Sequence, residues 1–341
     1  MIETLIDKYK GLRKRSVLNS KQFQHQYAFI GVGQHSLSNL YPVIDYLGVP
    51  LKYIFSRTRE NADLQAIKYG ATGTDNLSQI LSDPEVKGVF VCSHPNSHFE
   101  ICKQVLSSGK HLFVEKPPCL DTASLSDLVA SQKNAITQIG LQKRYAKVYS
   151  LVKSKLKSPE HYSLRFCTGA YPEGDEWMDL FIHPLDLVNF LFGTAIIKNA
   201  IHTKNKQTCL LTLEHENGVI GQLELSTDYS WTSPVEELRV IDTNGNYFSS
   251  SVNYLEFSKR GKSIAGIPLE KVISRNNQKT ILIDNNGFVP VSELNSLSVQ
   301  GYYQEIKDFL DVVEGRSNKK LTSLKDLIPT FELLKNIKSS L

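Results

Sequence analysis

From Tyr27 onward short apolar runs alternate with segments of helical periodicity, and this alternation restricts the possible folds more than any other feature of the chain. Tyr27-Ala-Phe-Ile30 runs into Gly31-Val-Gly33-Gln34-His35-Ser36, and the spacing predicts a helix over 37–47. Strands are predicted over 51–55, 88–91 and 111–114 and another ending near Gly140, with helices over 60–69 and 98–107 between them. Strands that alternate with helices pair in parallel through right-handed crossovers, and ligands of such sheets sit beyond the carboxyl ends of the strands.

The glycine turn lies at such an end. Glycines let a backbone turn tightly and approach a pyrophosphate, whose charge is held by free amides at a helix start; a plain tight turn is the alternative. Ser36 replaces the third glycine of the usual pattern and is still small enough for close helix packing. The second strand ends in Ser56-Arg57-Thr58-Arg59, with no carboxylate to accept ribose hydroxyls. Ser56 and Thr58 can donate to a 2'-phosphate and Arg57 can pair with it, so the charge pattern favours NADP over NAD, unless the arginines are only solvated. The third strand leads into Ser93-His94-Pro95-Asn96-Ser97-His98, where Asn96 or Ser97 is expected to cap the next helix. Glu115-Lys116-Pro117 then brings an ammonium group to the ligand edge of the sheet.

Past residue 145 the pattern changes. Residues 162–166, 206–213, 219–225 and 237–241 alternate as half-buried strands, with turn residues at Glu216-Asn-Gly218 and Thr243-Asn-Gly245 that predict hairpins. Tyr303, Ile306, Phe309, Leu310 and Val313 predict a late helix over 302–313, while 258–279 is polar and basic without a clear period. Asp179, His183 and Asp186 stand at i, i+4 and i+7, which puts them on one face of a regular helix; two carboxylates there would raise the imidazole pKa and fix its tautomer. Pro184 moves the expected helix start toward His183, and the bulk of Phe181 is expected to narrow the pocket.

These motifs, with Gly140-Leu-Gln142-Lys-Arg144-Tyr145, occur in an order that resembles the glucose-fructose oxidoreductase, inositol dehydrogenase and MocA family over nearly the whole chain from Tyr27. The resemblance implies an α/β protein with an N-terminal Rossmann domain and a C-terminal α/β domain built on a large, open, mainly antiparallel sheet. It also implies a cis bond at Lys116-Pro117. On this reading residues 1–25 are a helical extension, 26–145 the NAD(P)-binding domain, and 146–341 the substrate and oligomerisation domain, pairing chains as a homodimer or homotetramer.

The implied activity is reversible oxidation of a secondary alcohol on a sugar, nucleotide sugar or cyclitol. The catalytic residues would be Lys116, His183 and Asp179, with Tyr145 and Trp177 beside the substrate and Tyr171, Asp175 and Glu176 as further wall residues. The cofactor, NADP or NAD, would be bound by Gly31, Gly33, Gln34, His35, Ser36, Ser56, Arg57, Thr58, Ser93, His94, Asn96, His98, Glu115, Lys116, Gln142 and Arg144, with no metal. Reductases of other unsaturated substrates and non-catalytic NADP-binding regulators are the family's alternatives, and both usually lack one of the Lys116 and His183 counterparts.

Bulk properties agree with a soluble enzyme. At 341 residues with 41% hydrophobic side chains the chain can bury a full core, and a net charge of +4 is too small to argue for nucleic acid. Five cysteines, Cys92, Cys102, Cys119, Cys167 and Cys209, lack paired spacing, so a reducing cytoplasm is expected. No apolar run reaches the roughly 18 residues of a membrane span. Ile2, Leu5, Ile6, Tyr9 and Leu12 at helical spacing among Lys8, Lys10, Arg13, Lys14, Arg15 and Lys21 predict an amphipathic N-terminal helix packed on its own domain or a partner subunit.

Overall fold

The computed structural model describes residues 23–273, 279–285 and 296–340. The predicted extension falls almost wholly outside them. The first sheet is assembled from strands β1 (Gln26–Ile30), β2 (Leu51–Phe55), β3 (Thr72–Thr74), β4 (Val86–Val91), β5 (His111–Glu115) and β6 (Thr137–Gly140), all pairing in parallel in the order β3-β2-β1-β4-β5-β6. Its central strands β1, β4 and β5 are buried over most of their length, with Gln26 and Lys87 the exposed residues of β1 and β4, because helices cover both faces. Those helices are α1 (Tyr41–Leu47), entered through a wide π-type turn at Ser36–Leu40, then α2 (Arg59–Tyr69), α3 (Leu77–Ser82), α4 (Pro95–Ser107) and α5 (Thr122–Ser131). The order reverses between β1 and β4, and the loops after β1, β2 and β4 meet at that reversal.

A turn at Gln142–Tyr145 and helix α6 (Lys147–Lys155) lead to the second sheet. β7 (Pro159–Cys167) is followed by a π-type turn at Trp177–Phe181 and helix α7 (Ile182–Phe192), then by β8 (Ala195–His202), β9 (Thr208–His215), β10 (Ile220–Ser226), β11 (Val235–Asp242), β12 (Gly245–Ser250) and β13 (Tyr254–Lys259). A small hairpin, β14 (Ser263–Ile264) with β15 (Ile267–Pro268), stands apart, and β16 (Lys279–Asp284) completes the order β16-β13-β12-β11-β7-β10-β9-β8. Every pair in this sheet is antiparallel except β7 with β10. Both predicted turns close hairpins, β9 to β10 and β11 to β12; β7, by contrast, is a central strand flanked by β10 and β11. Strands β3, β8, β12, β13 and β16 carry too few apolar residues or too little alternation to be read from sequence.

After α8 (Ser296–Val299), helix α9 (Tyr302–Val313) returns to the first sheet. Phe309, fully buried, meets Phe90 and Phe113 edge-on at 5.5 and 5.8 Å, so a segment far along the chain closes one face of the dinucleotide-type sheet. Burial of such a ring contributes about 1.5–3 kcal/mol. The last helix, α10 (Ile328–Ser340), packs beside α7 and β8. Nearly all of α7 is buried, packed against α6, α10 and β7. Among the described residues no helix is long and apolar enough to cross a membrane.

Candidate active site

The turn after β1 is held open by its backbone. Gly31 has φ +116°, and a Cβ there would lie 2.0 Å from the Cys92 carbonyl oxygen, so only glycine allows the chains after β1 and β4 to touch. Gly33 has the opposite surroundings: a Cβ there would meet nothing within 4 Å, because that side faces open space. Ser36 braces the turn, its hydroxyl accepting from Gly33 N at 3.0 Å and donating to Gly33 O at 2.8 Å. A cleft of about 550 Å³ opens here, walled by Gly31, Gly33, Gln34, His35, Ser36, Ser56, Arg57, Thr58, Ser93 and His94. Asn61, one turn into α2, also lines it and has no marker in the sequence.

The two arginines after β2 part company. Arg59 turns back on Asp63 at 2.9 Å, whereas Arg57 is exposed on the cleft wall with no partner among the described residues. An open glycine turn, hydroxyls from Ser56 and Thr58 and an unpaired guanidinium are donors of the kind a dinucleotide phosphate needs, so the residues fit a nicotinamide dinucleotide.

The loops after β4 and β5 are joined by His98. Its Nδ1 lies 2.8 Å from the Pro117 carbonyl, and its Nε2 lies 3.2 Å from the Ser93 amide. Nε2 also lies 2.9 Å from the Ser93 carbonyl; burial lowers the ring's pKa, and the neutral ring donates from one nitrogen, to the carbonyl of Pro117 or of Ser93. His98 is therefore a brace behind the cleft. Helix α4 starts at Pro95, earlier than expected, with His94 as its cap: the His94 ring accepts from Asn96 N at 3.3 Å, and proline suits a first helical turn. Asn96 follows that cap and does not line the cleft.

The Lys116-Pro117 bond is cis, as expected. From it the Lys116 ammonium crosses to the second half of the molecule and donates to the backbone carbonyl of Asp179 at 2.5 Å. Burial pushes its pKa down, with Glu115 and Asp179 pulling it back up. Glu115 itself is buried; one carboxylate oxygen accepts from Lys116 N and lies 3.6 Å from His35, and the other has no partner among the described residues. Lys116 thus anchors the strand edge to the turn that precedes α7.

His183 stands four residues beyond Asp179, in the first turn of α7. The residue is 9% exposed, and its Nδ1 is buried without a hydrogen-bond partner among the described residues. Burial is the main cause of a pKa well below 6.5, followed by the positive charges of Lys116, Lys143 and His35. This reverses the expectation from sequence that two carboxylates would raise it. The π-type turn ends at Phe181, so Asp179 and His183 do not share the regular helix on which i, i+4 contacts depend. The Asp179 carboxylate accepts from the Tyr171 hydroxyl at 3.3 Å. Asp186 is taken by Arg144, in a buried two-pronged pair at 2.6 and 2.7 Å, with Thr330 donating to it at 3.2 Å. After burial, the charges that act on the imidazole are cationic.

Several other residues picked out from sequence are drawn into supporting contacts. Arg144, bound to Asp186, fastens the turn after β6 to α7. Gln142 donates to the Tyr302 hydroxyl at 3.2 Å, and the Tyr145 hydroxyl joins Gln138 and Thr322. Trp177 is buried edge-on against Phe181 at 5.0 Å, and Phe181 also faces Phe166, so that ring fills the core of the second half. Asp175 caps the π-type turn by accepting from Trp177 N, leaving Tyr171 as the wall residue that reaches Asp179. Lys143 lies within the Gln142 to Tyr145 motif, and nothing in the sequence sets it apart from a solvated lysine. It pairs with Glu236 at 2.7 Å and contributes to the field at His183.

Comparison with known proteins bears on the whole arrangement. Residues 25–141 match the model of an oxidoreductase family with an NAD-binding Rossmann fold, and residues 171–338 match the C-terminal alpha/beta domain of the same family. An uncharacterized oxidoreductase, YrbE, of Bacillus subtilis is 26% identical over 220 residues, which are 56% of this chain and 62% of that protein. The scyllo-inositol 2-dehydrogenase (NAD(+)) of the same organism is 24% identical over 222 residues, covering 56% of this chain and 64% of that one. Both matches span less than two thirds of the relatives' own length. In structure, the dehydrogenase MviM from Clostridium difficile superposes with a TM-score of 0.77 at 17% identity, over 93% of this chain and 100% of that one, a likeness of fold.

Proposed function

The chain belongs to the glucose-fructose oxidoreductase, inositol dehydrogenase and MocA family of oxidoreductases, and from that premise we propose that it oxidises, reversibly, a secondary alcohol of a sugar, nucleotide sugar or cyclitol. The observation that carries the reading is the meeting of an ammonium and a neutral imidazole across the two halves of the molecule, Lys116 on the carbonyl of Asp179 and His183 four residues on. The glycine turn, Ser56, Arg57 and Thr58 would hold the dinucleotide, with Arg57 favouring NADP. When bound, that group supplies the acceptor or donor of hydride.

His183 takes the hydroxyl proton. A base must be unprotonated to do so, and burial among cations keeps this imidazole neutral at pH 7. As the proton leaves, the substrate oxygen gains negative charge, and Lys116 stabilises it electrostatically from a site poor in water. Asp179 acts through its backbone, as the acceptor that aims the Lys116 ammonium, and the Tyr171 hydroxyl steadies its side chain. In the reverse direction His183 returns the proton to the forming alcohol.

The exposed Ile196, Ile201, Leu210 and Ile220 on one face of β8, β9 and β10 support self-association through that face, as a homodimer or homotetramer. The chemistry is tested by following reduced nicotinamide absorbance with NADP and a panel of inositols, hexoses and nucleotide sugars. Lys116→Ala and His183→Ala should each lower kcat by about 10²–10⁴ with NADP binding retained. Turnover close to that of the unaltered chain in either variant rejects the assignment, and firm NADP binding with no turnover of any alcohol favours a regulator.

A further inference from the structure

The chain has two tryptophans, and the fold treats them oppositely. Trp177 is 6% exposed, while Trp231 is 53% exposed in the loop between β10 and β11. A half-exposed indole held in one place offers a ligand a large apolar face. This loop is fastened down. Tyr229 N donates to Thr168 O at 2.9 Å, the Trp231 indole N–H to Ala170 O at 2.8 Å, and the Thr227 hydroxyl to Glu176 at 3.1 Å. All three acceptors lie on the segment that joins β7 to the π-type turn, the segment that presents Tyr171 to Asp179. Just past the loop, Glu236 holds Lys143 at 2.7 Å, one of the charges felt by His183. The loop is therefore bound at both ends to residues of the catalytic wall.

The ring itself is also fixed. A Cβ on Gly169 would fall 2.5 Å from Trp231 Cδ1 and 2.9 Å from its backbone nitrogen, so the missing side chain at 169 lets the indole close onto the strand end. With its N–H satisfied, the indole's remaining open surface is apolar and aromatic. Among the described residues no other ring stacks on it. A rigid aromatic face on the loop tied to the Tyr171 segment matches what a carbohydrate offers: its C–H bonds form an apolar, weakly electropositive face that packs against the electron-rich face of an indole.

We propose that Trp231 is a carbohydrate-stacking platform on the outer wall of the substrate cleft, receiving the C–H face of a sugar or cyclitol ring. The inference rests on the polyol reading above, and it assigns Trp231 to affinity and specificity, with no part in proton transfer. The test is steady-state kinetics with NADP and myo-inositol, D-glucose or UDP-glucose, alongside tryptophan fluorescence under the same sugars. Trp231→Ala should raise KM about five- to thirtyfold, the size of one lost aromatic contact of about 1–2 kcal/mol. Its kcat and NADP affinity should stay within about twofold, and Trp231→Phe should keep KM within about threefold. Gly169→Ala should shift KM in the same direction as Trp231→Ala. If Trp231→Ala fails to fold, Trp231→Leu replaces it, since leucine keeps apolar bulk without a π face.

An unchanged KM in the truncated variant overturns the platform while leaving sugar oxidation in place. An unchanged KM with loss of the native oligomer by light scattering also overturns it and assigns the ring to a contact between copies. If none of the three sugars is oxidised, the polyol reading fails for those sugars separately, and fluorescence decides the platform: an emission change on adding sugar that Gly169→Ala weakens, with both tryptophans kept, upholds it, and no change overturns it.

Discussion

On the dinucleotide side of the cleft the backbone sets the shape, whereas on the opposite wall side chains do. Gly31 is forced by contact with the Cys92 carbonyl, and Gly33 looks into open space. Across from them, Lys116 reaches a backbone carbonyl, Arg144 grips Asp186, and the charges that act on His183 are positive. The first wall depends on a conformation that one residue type adopts. The second depends on pairings that any of several polar residues could have made.

The sharpest way to break this comparison is to add one methyl group at each of the two glycines. Gly31→Ala combines a strained φ with a clash against backbone that cannot move aside, and should cost more than about 4 kcal/mol or abolish soluble expression. Gly33→Ala should change stability by less than about 0.5 kcal/mol while weakening dinucleotide binding, because its methyl enters only the open side. Thermal unfolding and dinucleotide titration of both variants read the difference; equal losses of stability would mean that the backbone of this wall is not selective.

The opposite wall predicts a different split. Asp186→Asn leaves the Arg144 charge buried and uncompensated, and should cost about 3 kcal/mol by denaturant unfolding. Asp179→Asn should cost less than about 1 kcal/mol, since that carboxylate accepts one long hydrogen bond from Tyr171 and the hydrogen bond from Lys116 is received by the main chain. The reverse order would restore Asp179 as the orienting carboxylate read from the sequence.

That contrast explains what could be read from the sequence. Strand and helix alternation, the glycine turn, the cis Lys116-Pro117 bond and the helix at 302–313 follow from periodicity, from backbone chemistry or from family resemblance, and each is present. The partners of Asp179, His183 and Asp186 were not legible, because one wide turn at Trp177–Phe181 breaks the helical register and nothing in composition marks a π-type turn. Arg144 and Asp186 are 42 residues apart, and Lys143 and Glu236 are 93 apart. Pairs so distant become visible only when both sheets are in place. The packing of α9 on the first sheet was hidden for the same reason: its periodicity shows that it has an apolar face, but not which sheet receives that face.

Acid titration sharpens the electrostatic half of the comparison. The folded-state pKa of His183 lies below that of the unfolded chain, so between the two values the unfolded state binds the extra proton. Its contribution to stability is therefore full above pH 6.5 and declines as pH falls below it. The same ring in its neutral form is the base, so the acid limb of kcat/KM for alcohol oxidation should fall well below pH 6.5. Lys143→Ala, by removing one of the cations, should move that limb upward. A limb at or above pH 6.5 in the unaltered protein would mean that carboxylates, after all, dominate at His183.

The smallest effect tests the far end of the dinucleotide wall, where the backbone no longer dictates the outcome. Arg57 is exposed and has no ion pair among the described residues, while Arg59 is spent on Asp63. If the free guanidinium meets a 2'-phosphate, Arg57→Ala should weaken NADP binding about tenfold and leave NAD binding within about twofold, because only NADP carries the extra charge. Arg59→Ala should alter neither by more than about twofold. The NADP effect should shrink as salt is raised, since an exposed pair is screened. A uniform loss for both dinucleotides would place Arg57 against the adenine or the shared pyrophosphate, and the preference for NADP would then have no residue behind it on this wall.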